Sequence, residues 1–248
     1  MKRFFLSDSF TIDEIIDVPQ EIVRHIHVLR MSLGELIEIF NGQNQSYIGE
    51  IINLGKRNAT IKIIRINPVT SLPTIQISLA IAMVANDKMD LIVQKAVELG
   101  VSHIIPLHSE YSARLIKSRS DSRLSHWQNI IISSCAQCGQ NLLPSIDLPI
   151  DMHELFTKTN YDIKIIMNTP HAEARLIKPQ QPKIHDQKNI SNALLLVGPE
   201  GGFSSNEIEL AISNNYQTMQ LGNLVMRAET AVIAGLAALN LRLNQWMD

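Results

Sequence analysis

The chain has 248 residues, of which 45% are apolar and 19% charged, and its net charge is −2. That length allows one large domain or two unequal ones. The near-neutral balance gives no support for nucleic-acid binding through overall charge, so such a partner would have to be met by local patches. No apolar run reaches about 18 residues without polar interruption. The N-terminal MKRFFLSDSF also lacks the long apolar core and small-residue cleavage site of a secretory leader. The expectation is a soluble, cytoplasmic protein with no membrane partner.

Residues 1–70 read mostly as strands, at 35–40, 46–54 and 59–66, with Asn41-Gly42 and Gly55 as turn signals between them. One helix, roughly 20–30, follows Pro19 and places Ile22, Val23, Ile26 and Leu29 on one face. Its polar side carries Arg24, His25, His27 and Arg30. A small barrel-like β domain with one helix fits this pattern, and its eight basic residues balance eight acidic ones. The two prolines of NPVTSLPT (67–74) mark a boundary, giving units at 1–70 and 71–248.

After the boundary the pattern changes. A strand at 75–83 leads to a helix at 88–99, with Asn86 and Asp87 as cap candidates, Met89, Ile92, Val93 and Ala96 on one face, and Gly100 as its stop. Strands at 103–107, 163–167, 193–197 and 218–221 alternate with helices at 124–137, 205–213 and 228–244. This alternation predicts a parallel sheet covered on both faces. The tract 178–191 is polar and without periodicity, as in a surface loop. Residues 111–128 carry Arg114, Lys117, Arg119 and Arg123 against Asp121, interleaved with Tyr111 and Trp127. The stretch is either a strip for phosphate contacts or a solvated face.

The two cysteines, Cys135 and Cys138, are spaced C-x-x-C but fall late in a helical pattern. Redox pairs open a helix after a strand, so these two read as small helix residues. Two cysteines cannot close a zinc site, and the eight histidines show no ligand spacing, so no metal is expected.

The stretch VGPEGGFSSNEIE (197–209) runs from a buried strand through a tight turn to a helix start. Gly198 and Pro199 force the turn, Gly201 and Gly202 allow positive φ or close approach, and Ser204 with Glu207 forms a capping box. The spacing matches neither the dinucleotide fingerprint nor the P-loop. Glu200 would repel a phosphate, so the turn is either structural or suited to a neutral or cationic ligand such as an adenosine hydroxyl, a base nitrogen or a sulfonium. In LGNLVMRAETAVIAGLAALNL (221–241) a loop becomes a helix near Ala228. That helix is apolar nearly all round, which predicts burial on two sides, one against its own sheet and the other against a further surface such as a second subunit. Arg227 and Glu229 at its start are either a cap with an ion pair or site residues.

RFF near the N-terminus, HIHVLRMSLGELIEIFNG, KMDLIVQKAVELGVSHIIPLHSEYS, GPEGGFSSNEIE and LGNLVMRAETA together resemble the ribosomal RNA small-subunit methyltransferase E family (RsmE), of the SPOUT class. The likeness runs in order across nearly the whole chain. It implies a PUA-like, RNA-binding β-barrel domain at 1–70. It also implies a SPOUT α/β domain at 71–248 with a C-terminal trefoil knot, which general rules of chain connection would not suggest. It further implies S-adenosyl-L-methionine as methyl donor, a homodimer with sites at the subunit interface, and N3-methyluridine in small-subunit (16S) ribosomal RNA as product. The knot and cofactor loops correspond to 197–202 and 221–231. On that basis Val197, Gly198, Glu200, Gly201, Gly202, Leu221, Gly222, Val225, Met226 and Ala228 are expected to hold the cofactor. In AQCGQ (136–140), Ala136 and Gln140 stand where many members have Glu and Arg, so no role is carried to those positions. A SPOUT enzyme acting on another RNA, and an RNA-binding module without catalysis, remain as other readings.

Methyl transfer from a sulfonium needs an aligned nucleophile and excluded water. Uracil N3 carries a proton, so the ring must become anionic. Arg227 is expected to stabilise that charge. Glu200 or Glu229 is expected to accept the proton, provided burial raises its pKa. Arg24, Arg30, Lys56, Arg57, Arg114, Lys117, Arg119 and Arg123 are the expected RNA-backbone contacts.

Overall fold

The structure is a computed structural model that describes residues 1–69, 72–112, 120–158, 160–168 and 190–243. Two compact units emerge: Met1–Leu72 with Ile132–Leu143, and Pro73–Ile131 with Pro144–Asp248. Arg114, Lys117 and Arg119, and all but the last two residues of the 178–191 tract, lie outside the described residues.

The first unit contains β1 (Lys2–Phe5), β2 (Ile15–Asp17), α1 (Gln20–Val28), β3 (Leu36–Phe40), β4 (Ser46–Leu54) and β5 (Ala59–Ile66). They form one five-stranded sheet in the order β1-β3-β4-β5-β2. Only β1 and β3 run parallel. The outer strands β1 and β2 are not paired to each other among the described residues, so the expected barrel closure is not part of the strand pairing. Val23 and Ile26 of α1 pack with Ile37, Ile39, Ile51, Ile61 and Ile63 from one face of the sheet, the alternation a half-buried strand requires. Arg3 ties the 132–143 segment to this unit. Its Nη1 donates to the Cys135 carbonyl at 2.8 Å, its Nε lies 3.1 Å from Glu38, and its guanidinium sits 4.9 Å from the centre of the Phe40 ring.

The second unit contains β6 (Gln76–Ala82), α2 (Asn86–Glu98), β7 (His103–His108), α3 (Ser120–Cys138), β8 (Ser145–Ile146), β9 (Ile150–Asp151), α4 (Met152–Lys158), β10 (Ile163–Met167), β11 (Asn192–Val197), α5 (Ser205–Ser213), β12 (Gln217–Met219) and α6 (Ala228–Arg242). Helix α3 begins in this unit and ends in the first. The strand order is β12-β10-β11-β6-β7-β8, with β9 also on β7. Every pairing is parallel.

Helices cover both faces. On one, Ala80, Ala82, Ile105, Leu107, Ile166, Leu194 and Leu196 pack with Ile208 and Ala211 of α5 and Met152 and Leu155 of α4. On the other, α6 approaches β11 so closely at Gly235 that a Cβ there would stand 3.0 Å from Leu195 Cδ2. Helix α2 packs beside α6 and ends where sequence predicts. Gly100 has φ +79°, its N–H donates to Val97 O at 3.0 Å, and the Val101 N–H donates to Ala96 O at 3.0 Å. The Asn240 side chain of α6 then donates to Leu99 O at 3.1 Å, satisfying another carbonyl at that end.

The start of α2 differs from expectation. The cap is Ala85, extended at ψ 148° and without a side-chain bond, so Asn86 and Asp87 are the first two helical residues. Asp87 still favours the helix start through the dipole. In α6, Val232, Gly235, Leu236 and Leu239 are buried, while Ile233 and Leu241 are exposed in the single chain. Among the described residues no helix is long and apolar enough to cross a membrane.

Candidate active site

The turn after β11 is built as its residues dictate. Val197 ends the strand, and the Gly202 N–H donates to Pro199 O at 2.9 Å, closing a four-residue turn. Gly202 has φ +72°, a conformation that a Cβ disfavours. Both halves of the capping box form. The Glu207 N–H reaches Ser204 Oγ at 3.4 Å, and the Ser204 N–H donates to Glu207 Oε2 at 2.9 Å. The other carboxylate oxygen, Oε1, accepts the Glu110 N–H at 2.9 Å, which fastens the loop after β7 to the start of α5.

Beside this turn, at the carboxyl ends of β10 and β11, lies a cavity of about 450 Å³ including its open mouth. Ligands of open parallel sheets bind at this end. Its walls are Met167, Asn168, Val197, Gly198, Pro199, Gly202, Leu221, Leu224, Met226, Ala228 and Ala231. The two loops singled out in the sequence therefore meet in one pocket, through Val197, Gly198, Gly202, Leu221, Met226 and Ala228. Glu200, Gly201, Gly222 and Val225 are not among its walls. Gly201 instead packs toward Tyr111, and Val225 is exposed. Sequence reasoning did not reach Met167 and Asn168, while Pro199, Leu224 and Ala231 lie inside the two loops it named without being among the residues expected to hold the cofactor. Met167 ends a strand predicted correctly at 163–167, so the carboxyl-end rule could have found it and its neighbour. None of the wall residues carries a charge, which suits an adenosine and a sulfonium better than a phosphate.

The charges stand around the pocket. Lys88, in the first turn of α2, forms an ion pair and hydrogen bond with Glu200 of the turn. The hydrogen bond to Glu200 holds the Lys88 ammonium above its ordinary pKa. The same bond from Lys88, helped by a backbone N–H, holds the Glu200 carboxyl below the usual carboxylate range. Glu200 is exposed, so the burial that would raise its pKa and make it a base is missing. Glu229, in the first turn of α6, is half-buried. Its Oε2 is shielded from solvent and has no hydrogen-bond partner among the described residues. Arg227 is the exposed N-cap residue of α6 and makes no side-chain cap bond. Its neighbours in sequence, Met226 and Ala228, are both pocket walls.

Lys88 was not singled out from sequence, although a signal existed. A cation in the first turn of a helix opposes the helix dipole and calls for a reason.

Arg24, Arg30, Lys56 and Arg57 are exposed. His27 Nε2 lies 3.0 Å from Gly55 O, which joins the polar side of α1 to the turn carrying Lys56 and Arg57. Arg123 is half-buried in a cleft with Asn86, Asp90, His126 and Trp127, where His126 Nε2 lies 2.8 Å from Asp90. The cysteines are unpaired. Cys138 is exposed and Cys135 buried, and burial pushes the Cys135 thiol up to about 12.

Comparison with known proteins gives a consistent result. A family model described as an RNA methyltransferase domain matches residues 70–240, and one described as an RNA methyltransferase PUA domain matches residues 18–64. The ribosomal RNA small subunit methyltransferase E of Buchnera aphidicola subsp. Schizaphis graminum is 32% identical over 244 residues, covering 97% of this chain and 96% of that protein. The protein of the same name from Mesomycoplasma hyopneumoniae is 28% identical over 94% of this chain and 96% of its own. Among solved structures, a ribosomal RNA small subunit methyltransferase E from Neisseria gonorrhoeae, bound to S-adenosyl methionine, superposes with a TM-score of 0.83. It is 31% identical, and 97% of each chain is covered.

Proposed function

Because the chain belongs to the ribosomal RNA small subunit methyltransferase E family, we propose that it methylates N3 of a uridine in small-subunit (16S) ribosomal RNA, with S-adenosyl-L-methionine as donor. The observation that carries this reading is the pocket at the carboxyl ends of β10 and β11. It joins the Gly198–Gly202 turn to the 221–228 loop behind uncharged walls, with Arg227 between two wall residues.

When bound, the cofactor supplies an electrophilic methyl group on sulfur. Gly198, Pro199 and Gly202 offer a close backbone approach on one side, and Leu221, Leu224 and Met226 offer apolar surface on the other. These walls hold the ligand and exclude water. Arg227 stabilises negative charge on the base as N3 loses its proton. Glu229 Oε2 accepts that proton, being shielded and free of other partners among the described residues. Glu200, held ionised by Lys88, supports the turn.

The finer architecture follows the same reading. Residues 1–70 form a PUA-like barrel that meets RNA through Arg24, Arg30, Lys56 and Arg57, with Arg123 contributing from the domain at 71–248. In that domain the loops 197–202 and 221–231 belong to a trefoil knot. The exposed apolar side chains of Leu224, Val225, Ile233 and Leu241 support a homodimer built on that loop and α6. A ribosomal substrate places the protein in the cytoplasm.

The test is to incubate the protein with labelled S-adenosyl-L-methionine and small ribosomal subunits and map the methylated nucleoside by mass spectrometry. N3-methyluridine in the ribosomal RNA is the expected product. Label appearing only in another RNA, or RNA binding without any label, would overturn the reading. RNA binding should weaken steeply with salt, and less steeply once Lys56 and Arg57 are replaced by alanine.

A further inference from the structure

We propose that Lys88 is a second catalytic cation of the methyl-acceptor site, stabilising the target base as it gives up its N3 proton. The proposal rests on the uridine-N3 reading above and adds to it a residue on a different helix from Arg227.

The first observation is where Lys88 stands. It is the third residue of α2 after the Ala85 cap, in the turn where a helix carries its own positive partial charge. A lysine there works against the helix. Arg227 repeats the arrangement at the cap of α6, which packs beside α2. Two neighbouring helices thus each carry a cation at their positive end. Each of these helix starts also carries the acid that the dipole favours, Asp87 and Glu229, so the two cations are additions that the helix ends do not call for, and such positions are expected at functional sites.

The second observation is what surrounds Lys88. Its ammonium is paired with Glu200 of the pocket turn and lies within electrostatic reach of Glu229, which favours it, and of Arg227, which opposes it. The four charges cancel, two of each sign. A cluster that is neutral when empty gives little attraction to a permanent polyanion such as a phosphate chain. It can still respond to a single charge that forms inside it, because Lys88 can exchange one carboxylate for another anion.

The proposed reaction creates such a charge. When the N3–H bond breaks, its electron pair stays on the ring and spreads onto two carbonyl oxygens, one on each side of N3. The proton goes to Glu229. Arg227 and Lys88 then supply one cation for each oxygen, Lys88 leaving Glu200 to do so. The N3 electron pair forms the new N–CH3 bond, and the electron pair of the broken C–S bond stays with sulfur. Glu229 afterwards returns its proton to water, and Lys88 returns to Glu200.

The test uses the full chain with small ribosomal subunits in single-turnover methylation across pH, together with calorimetric titration of S-adenosyl-L-methionine into the protein alone. Wild type must first yield N3-methyluridine. If it does not, the functional reading itself has failed. Given that product, Lys88→Met should slow transfer by roughly 10- to 100-fold, in the range seen for loss of one charge-stabilising donor. The rise of rate with pH should move to higher pH, while cofactor affinity falls by less than the rate does, since Lys88 is only one of several fastenings of the turn. Lys88→Arg should recover most of the rate. Reconstituted subunits carrying 5-fluorouridine, whose N3 is more acidic, should shrink the deficit.

An unchanged rate overturns the proposal. So does a weakened cofactor affinity with an unmoved pH profile, which would make Lys88 only a support for the turn. If Lys88→Met does not fold, the decision passes to Lys88→Arg. Its pH profile should shift modestly on uridine and not on 5-fluorouridine, and equal shifts on both would refute the idea.

Discussion

The contact between α6 and the sheet can be tested with a single methyl group. A Cβ at Gly235 would stand 3.0 Å from Leu195 Cδ2 and 3.2 Å from Met167 Sδ. Leu195 is fully buried in β11 between β6 and β10 and has nowhere to retreat. Met167 ends β10 and forms part of the pocket wall, so it is the neighbour that yields, toward the cavity. Two opposing magnitudes follow for Gly235→Ala. Alanine gains roughly 1 kcal/mol over glycine inside a helix, and overpacking costs about 1–3 kcal/mol. The net change is therefore a loss of about 0–2 kcal/mol, which in a chain of this size lowers the melting midpoint by roughly 2–4 °C per kcal/mol. The displaced Met167 should also weaken S-adenosyl-L-methionine binding by roughly three- to tenfold, equivalent to about 0.7–1.4 kcal/mol. Denaturant unfolding and calorimetric titration measure the two effects separately. A variant about 1 kcal/mol more stable, with unaltered cofactor affinity, would show that helix propensity outweighs the contact and that α6 does not press on the pocket wall.

Three further outcomes are expected. Gly202→Ala and Gly222→Ala both place a Cβ at φ above +70°, at a strain of roughly 1–2 kcal/mol each. Only the first should also reduce cofactor affinity, because Gly202 is a pocket wall while a Cβ at Gly222 meets nothing within 4 Å. In alkylation at pH 8, Cys138 should react and Cys135 should not. A thiol pushed up to about 12 holds roughly a thousandfold less thiolate than one at 9.0, so mass spectrometry should show one adduct in the native protein and two after unfolding. The Glu200 carboxyl is depressed by Lys88, so its contribution to stability is present above the ordinary carboxylate range and lost as pH falls through the depressed value. Wild type and Lys88→Met should therefore differ in unfolding midpoint at neutral pH and converge as pH falls below the ordinary carboxylate range, and a constant difference would remove the ion pair as its cause.

What was legible in the sequence divides along lines of length and period. The helix over 205–213 and the strand over 163–167 were placed to the residue, because a capping box fixes one and a continuous apolar run the other. The two-residue strands β8 and β9, and the seven-residue α4, are too short to show a period and were missed. Strand β2 was missed for a related reason: its three residues are exposed or half-buried and show no apolar alternation. In the site, the two loops were legible because glycine and proline announce turns. Met167 and Asn168 carry no local signal of their own and are reached only by applying the carboxyl-end rule to the strand that Met167 ends. Lys88 was hidden by another effect. Its partner Glu200 is 112 positions away in the chain, and no periodic pattern links them.

By composition the turn at 198–202 should be loose, since it holds three glycines and one exposed acid. The structure fastens it at several points, each drawn from a different element. The Gly202 N–H closes on Pro199 O within the turn. Ser204 and Glu207 lock the helix that follows. Lys88 of α2 takes the Glu200 side chain, and the second oxygen of Glu207 holds the Glu110 N–H from the loop after β7. Glycine gives the backbone the shape needed for close approach, and the surrounding bonds remove the freedom that glycine would otherwise keep. A wall fixed in this way can orient a bound donor before the acceptor arrives, which is where much of the rate of a two-substrate transfer originates. The Glu207 carboxylate also joins the pocket turn to the loop after β7, so Glu207→Ala should loosen both and weaken S-adenosyl-L-methionine binding in calorimetric titration.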